Sequence, residues 1–240
     1  MNISLFGTSN WVNQDAVKDK ICIVLDVLRA TSVMITALSN GARYIIPILE
    51  VDEARLIKKI SPDVLIGGER EGIKIEGFDL DNSPFSYSKE KVYNKVIVMT
   101  TTNGTRALIK AKHAKRTFIA SFINAKYTID YIIEYYGEDD ISIICAGTDD
   151  KFSLEDFLCA GFLIELIKGK CDHVEMDDFS YVAYNFYKNN ASDINKVLAK
   201  SFHYSRLRNI GFENDLSYCL QFNTHDCVCI FKENMVKRVD

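Results

Sequence analysis

The sequence predicts an α/β fold, and three observations predict it. Short β-branched runs such as Ile21-Cys22-Ile23-Val24-Leu25 and Ile141-Ser142-Ile143-Ile144-Cys145 recur along the chain. Between them lie stretches of helical length with apolar residues at helical spacing, so strands and helices alternate rather than segregate. Polar clusters follow several of the runs, at the carboxyl ends of strands, where open α/β sheets hold their ligands.

Taken in order, strands are predicted over 21–28, 43–49, 63–66, 95–100, 116–120 and 141–145. Helices are predicted over 31–39, 51–59, 105–111, 125–136 and 154–167. Gly41 stands where a C-cap glycine ends the first helix. Thr102 or Asn103 can cap the helix at 105, and Ser153 the helix at 154, whose first turn carries Glu155 and Asp156 where the helix dipole favours acids. Beyond about residue 172 the pattern becomes more helical, over 179–187 and 194–201, before a strand over 227–231. Pro47, Pro62 and Pro84 mark no hinge. Residues 1–240 read as a single domain with a soft boundary near 172, long enough to bury a full core.

A net charge of −4 gives no basic field for nucleic acid or an anionic membrane, which leaves a small molecule as the expected partner. No apolar run reaches spanning length, and Met1–Gly7 lacks the charge and apolar core of a signal peptide, so a cytoplasmic protein is expected. Seven cysteines, an odd number set mostly in apolar strings, read as reduced core residues. His225, Cys227 and Cys229 would share a face of the last strand. A soft-metal site there needs a fourth ligand and a more usual spacing, and an interior strand is the simpler reading.

The polar clusters carry the chemistry. Asp26 ends its strand, a position from which carboxylates bind metal or act on phosphate, with Arg29 and Thr31 at the following helix start; capping and ion pairing are the structural alternative. Glu69 and Arg70 lie among glycines that let both turn toward one pocket. Asn82 and Ser83 offer amide and hydroxyl contacts. Thr102, Asn103, Gly104, Thr105 and Arg106 form a cradle for phosphate or sulfonate, with Gly104 admitting close backbone approach. Glu155 and Asp156 are the oxygen ligands that hard divalent cations prefer. Neither nucleotide-binding glycine fingerprint is present. Lys151 stands where a cysteine phosphatase with Cys145 would need arginine, and Leu28 where a dehalogenase-type phosphatase would need a second aspartate.

In order, the segments Asp26-Val27-Leu28-Arg29-Ala30-Thr31-Ser32, Gly68-Glu69-Arg70-Glu71-Gly72, Gly77 through Asn82-Ser83-Pro84, Thr101-Thr102-Asn103-Gly104-Thr105-Arg106-Ala107, Cys145-Ala146-Gly147 and Ser153-Leu154-Glu155-Asp156 resemble the 2-phosphosulfolactate phosphatase (ComB) family. His203, Gly211, Asp215 and Cys219 extend the likeness. Asp81 departs from it, standing where the family pattern expects a glycine before Asn82. The resemblance implies a three-layer α/β/α architecture with a mixed, largely parallel sheet. It also implies a Mg²⁺-dependent phosphatase that converts 2-phospho-3-sulfolactate to 3-sulfolactate and phosphate, a step toward coenzyme M.

A substrate with phosphate, sulfonate and carboxylate needs several charged donors and a cation. Arg29, Arg70, Arg106 and the Asn103–Thr105 backbone are the expected anion binders, with Arg70 and Arg106 on different anionic groups. Asp26, Glu69, Glu155 and Asp156 are candidate metal ligands or bases, the division between those roles being open, and His203 is a candidate leaving-group acid. Direct attack by water is expected, with Asp26 as a covalent nucleophile the alternative. Other small phosphorylated acids as substrates, a catalytically silent anion-binding protein and a homodimer all remain compatible with the sequence.

Overall fold

Residues 21–25 and 141–145 are buried at every position, as parallel strands covered on both faces must be. The computed structural model describes residues 1–239, and among them eleven strands form one mixed sheet with eleven α-helices packed about it. The strands are β1 (Asn2–Phe6), β2 (Ile21–Leu25), β3 (Tyr44–Pro47), β4 (Leu65–Arg70), β5 (Ile73–Lys74), β6 (Val96–Thr100), β7 (Arg116–Ala120), β8 (Ile141–Cys145), β9 (Glu175–Met176), β10 (Cys229–Lys232) and β11 (Met235–Arg238). The helices are α1 (Gln14–Val17), α2 (Ala30–Ser39), α3 (Val51–Ile60), α4 (Lys89–Val92), α5 (Gly104–Lys110), α6 (Ala125–Tyr136), α7 (Leu154–Lys168), α8 (Asp178–Asn190), α9 (Ile194–Leu198), α10 (Phe202–Asn209) and α11 (Glu213–Cys219). No described helix is long and apolar enough to cross a membrane.

The period of two along β2 divides the core into the layers of an α/β/α fold. Ile21, Ile23 and Leu25 face one side with Phe118, Ile143 and the apolar faces of α6 and α7. Cys22 and Val24 face the other with α2, Ile97, Met99 and Ile119. Each such fully buried aliphatic side chain contributes about 1.5–3 kcal/mol. All seven cysteines are free thiols, six of them buried.

Across the sheet the order is β5-β4-β6-β3-β11-β10-β7-β2-β8-β1-β9. β4, β6 and β3 are mutually parallel, as are β7, β2, β8 and β1. The β10–β11 hairpin lies between the two sets, antiparallel to both neighbours, so the sets run in opposite senses. β6 and β2 lie five steps apart in the sheet, yet the segments that follow them meet, with Gly104 standing against Asp26 and Ala30. The residues after these two strands build the site.

Several predicted boundaries shift. β2 stops at Leu25 because Asp26 folds back onto the start of α2. β4 runs on through Gly67 to Arg70 and makes a hairpin with β5, so Glu69 and Arg70 lie on a strand and not in a flexible loop. Gly68 makes that possible: at φ +144 it crosses so close to β6 that a Cβ would sit 1.9 Å from the Thr100 carbonyl oxygen. Gly41 adopts φ +88 just after α2, as a C-cap glycine should. The chain beyond 172 is woven into the same sheet and core, and its strand starts at Cys229 rather than 227.

Candidate active site

An open pocket lies where the ends of β2, β4 and β6 meet the face of α10. Asp26 forms its floor. Its Oδ1 accepts from Ala30 N–H at 3.1 Å, and its Oδ2 stands beside the start of α5. Gly104 permits this approach, since a Cβ there would lie 2.8 Å from Asp26 Oδ2 and 2.6 Å from Ala30 Cβ. Burial pushes the Asp26 carboxyl up to about 7, and the nearby Glu69 carboxylate adds to the rise.

Glu69 lines the pocket too, but both its oxygens are engaged. Oε1 accepts from the Thr102 N–H and hydroxyl at 2.9 and 3.0 Å, and Oε2 from Gly72 N–H at 2.7 Å. The carboxylate thereby ties the turn after β6 to the β4–β5 hairpin. Arg29 is buried: its guanidinium pairs with Asp215, donates to the Gly72 carbonyl at 2.7 Å and stacks 3.9 Å from the Phe212 ring centre. Ser83 donates to the other oxygen of Asp215 at 2.8 Å. Asn82, also in the pocket wall, keeps a buried Oδ1 without a partner. At Asp81 the departure from the family pattern has a simple outcome. Its carboxylate accepts from Ser83 N–H at 2.8 Å, and its φ is not positive, so no glycine is needed.

From α10, His203, Arg206 and Leu207 project into the pocket, as spacing of three and four on one helical face requires. His203 Nδ1 is 2.7 Å from Thr148 Oγ1. Burial, with Arg206 and Arg29 nearby, lowers its pKa to about 4. The ring is neutral near pH 7, which disfavours the leaving-group acid role expected for it. Asn103 lines the pocket and its Oδ1 accepts from Asp149 N–H at 3.3 Å.

Other expected site residues serve the scaffold. Thr31 is buried and locked to the Asp26 backbone, accepting from its N–H and donating to its carbonyl. Thr101, not Thr102 or Asn103, serves the start of α5, accepting from Thr105 N–H at 3.3 Å, while the buried Thr105 hydroxyl donates back to the Thr101 carbonyl. Arg70 and Arg106 lie in a separate cleft on the far side of Thr101 and Thr102. Arg70 is held by the Glu69 and Leu49 carbonyls and Thr100 Oγ1, and Arg106 points outward, 3.8 Å from Asp150. Ser153 does not cap α7. Its hydroxyl meets Thr148 Oγ1 instead.

Glu155 and Asp156 are buried in the first turn of α7, outside the Asp26 pocket. Asp156 accepts from Val27 N–H at 2.8 Å and Gly147 N–H at 3.2 Å, joining the ends of β2 and β8. Glu155 lines a neighbouring cleft behind His203, and its Oε2 has no partner. Burial raises Glu155 to about 7, with Asp26 adding to it, and lifts Asp156 well above the carboxylate range, with Glu155 and Asp26 adding.

Among the described residues no three His, Cys, Asp or Glu side chains converge as a ready-made metal cage. His225 instead contacts Tyr218 and Thr224, and the Cys227 and Cys229 sulfurs lie 3.4 Å apart. A hard cation in the pocket would have Asp26 Oδ2 as a buried carboxylate oxygen without a hydrogen bond, with the more exposed Glu71 and Asp149 carboxylates also in the wall. That suits Mg²⁺, which keeps several waters and takes one or two carboxylates together with substrate phosphate. Thr148, Asp149 and Arg206 also line the pocket and carried no motif in the sequence, while Thr101 and Glu71 lay within motifs without being singled out as site residues. For Arg206 the helical spacing from His203 was the one available signal.

The profile of the 2-phosphosulpholactate phosphatase family matches residues 7–234. A protein of Caldicellulosiruptor saccharolyticus named probable 2-phosphosulfolactate phosphatase is 51% identical over 242 aligned positions, covering all of both chains. Proteins of the same name from Clostridium beijerinckii and Clostridium acetobutylicum are 42% and 39% identical, covering 98% and 91% of this chain and 99% and 92% of their own. With residues of four of the six motifs lining one pocket and full-length likeness on this scale, the chain belongs to the 2-phosphosulfolactate phosphatase family, a family of phosphoric monoester hydrolases.

Proposed function

We propose that this chain hydrolyses 2-phospho-3-sulfolactate to 3-sulfolactate and inorganic phosphate with Mg²⁺, a reaction of the kind that leads toward coenzyme M. The observation that carries the reading is Asp26, a buried carboxylate with one oxygen free at the floor of a polar pocket. The pocket wall holds four carboxylates, Asp26, Glu69, Glu71 and Asp149, against two guanidiniums, Arg29 and Arg206. Such a balance repels a phosphate dianion unless a cation enters with it. Asp26 Oδ2, with Glu69 close by, would hold the cation, and Mg²⁺ bound there would supply charge neutralisation at the phosphoryl oxygens and acidify water.

The chain's own residues do the rest. Asp26 is oriented by Ala30 N–H and by the approach that Gly104 allows. Asn82, with its unpartnered amide oxygen, and Asn103 are placed to bind the substrate or its water shell. His203 presents a neutral ring whose Nδ1 is held by Thr148, fixing the orientation of the other nitrogen. Direct in-line attack by water inverts the configuration at phosphorus, whereas a phosphoaspartate on Asp26 would give net retention.

Phosphate release from phosphosulfolactate tests the reading: it should occur with Mg²⁺, stop with EDTA and return when Mg²⁺ is restored. Turnover of phosphoglycolate or phospholactate but not phosphosulfolactate would replace the substrate. Release of no phosphate from any of them would favour an anion-binding protein.

A further inference from the structure

Among the described residues two cationic side chains of fixed charge line the pocket, Arg29 and Arg206, and they are not equivalent. Arg29 is neutralised in place. Its side chain and that of Asp215 are 1% and 4% exposed, its second arm is on the Gly72 carbonyl, and Phe212 covers its face. Arg206 makes one hydrogen bond, from Nη1 to Asp149 Oδ2 at 3.0 Å, with the two side chains 30% and 54% exposed. A guanidinium has five donors. Four of those on Arg206 have no protein partner among the described residues.

Asp149 belongs to a tight turn. Asp149 and Asp150 have φ of +50 and +62, and Thr148 and Lys151 exchange both backbone hydrogen bonds at 2.9 Å. The turn is anchored at Thr148 by His203 and at the Asp149 N–H by Asn103, so its carboxylate is presented to the pocket from a fixed base. Facing it, α10 is packed over the β4–β5 turn, with Leu207 and Ile210 closing on Gly72. A carboxylate thus occupies, at the pocket mouth, the position from which a substrate oxyanion would meet Arg206.

We propose that Arg206 is the specificity-determining receptor for a non-reacting acid group of the substrate, its sulfonate or carboxylate, and that Asp149 holds the guanidinium in place until that group arrives. The inference rests on the reading that the pocket binds a phosphorylated sulfo-acid. It assigns the discrimination to α10, and not to Arg70 and Arg106, which open onto another cleft. An exposed pair such as Arg206–Asp149 is weak, so exchanging its carboxylate for a ligand oxyanion costs little.

The test is steady-state kinetics of the Mg²⁺-loaded enzyme on phosphosulfolactate, on phospholactate, which lacks the sulfonate, and on a simple alkyl phosphate, which lacks both acid groups. Arg206→Gln should raise KM for phosphosulfolactate on the order of 10- to 100-fold, the scale of a lost charge-assisted contact, with kcat changed less than about threefold. Arg206→Lys should recover part of the loss. The penalty should vanish on phospholactate if the group is the sulfonate, and only on the alkyl phosphate if it is the carboxylate. A penalty that persists on the alkyl phosphate, or an unchanged KM for phosphosulfolactate, would overturn the assignment. Asp149→Asn should lower KM by releasing Arg206, and a raised KM would overturn the place-holding role. If wild-type enzyme releases no phosphate, the functional reading fails first. Calorimetric titration with 3-sulfolactate then still decides Arg206, because equal affinity in wild type and Arg206→Gln refutes the receptor.

Discussion

Arg29 and Asp215, 186 positions apart, bury each other's charge in the wall of the pocket. Removing one member of such a pair leaves an uncompensated buried charge, which costs about 3–5 kcal/mol, whereas replacing both by apolar side chains costs less. Asp215→Ala should therefore lower the denaturant-unfolding free energy by that amount, with the Ser83 hydroxyl orphaned as well. The Arg29→Met, Asp215→Leu double variant should be more stable than Asp215→Ala, though inactive. Equal stability of Asp215→Ala and wild type would remove the pair from the framework of the site.

Gly104→Ala should separate site geometry from overall folding. Its methyl would meet Asp26 Oδ2 and Ala30 Cβ below normal contact distance, so α5 and α2 must move apart. Overpacking of this kind costs about 1–3 kcal/mol, and displacing Asp26 by a fraction of an ångström should cost roughly 100-fold in kcat/KM. Thermal melting and kinetics on the same sample check both.

His203 gives a pH prediction with a definite sign. Its folded pKa, about 4, lies below the ordinary 6.5, so between these values the unfolded chain binds a proton that the folded one does not. Stability attributable to His203 is complete above pH 6.5 and is lost as pH falls toward 4. The difference in unfolding free energy between pH 7 and pH 4 should shrink by about 1–3 kcal/mol in His203→Asn. The pH–rate profile of the wild type should show no histidine inflection between pH 6 and 7. An activity that falls as pH rises through 6.5, and does so only when His203 is present, would restore the acid role.

Arg70→Ala and Arg106→Ala should part company. Arg70 fastens the end of β4 to the loop at Leu49 and to Thr100, so its loss should lower stability by about 2 kcal/mol. Arg106 is more than half exposed, and its removal should change kcat/KM less than about threefold. A large loss of kcat/KM in Arg106→Ala would bring the second cleft into the active site.

The repeating units of the fold were legible, and so were the clusters that form the site. Strands 116–120 and 141–145 and the helix over 125–136 emerge with the predicted limits, because long apolar or amphipathic stretches leave little choice of periodicity. Asp26, Glu69, Asn82, Asn103 and His203 do line one pocket. What sequence could not supply was which polar groups are already taken. Thr31, Thr105, Ser83 and Asp156 have the same chemistry as binding residues, and only the fold reveals that backbone or Asp215 engages them. The β10–β11 hairpin was half missed because its turn uses Glu233 and Asn234 at positive φ, not the Asn-Gly or Asp-Gly pair that usually announces one. β5 and β9 are two residues long, too short for any period.

That hairpin has a consequence for the nascent chain. β3 and β7, the strands it joins, are synthesised more than a hundred residues before Cys229, and until it arrives each presents a row of unpaired backbone groups. The emerging polypeptide therefore holds two half-sheets with sticky borders at what will become the middle of the molecule, and only a late insertion welds them. Such deferred, long-range closure slows folding and exposes the intermediate to self-association, so yield on expression should depend on temperature and chaperone supply more steeply than the finished protein's stability alone would suggest.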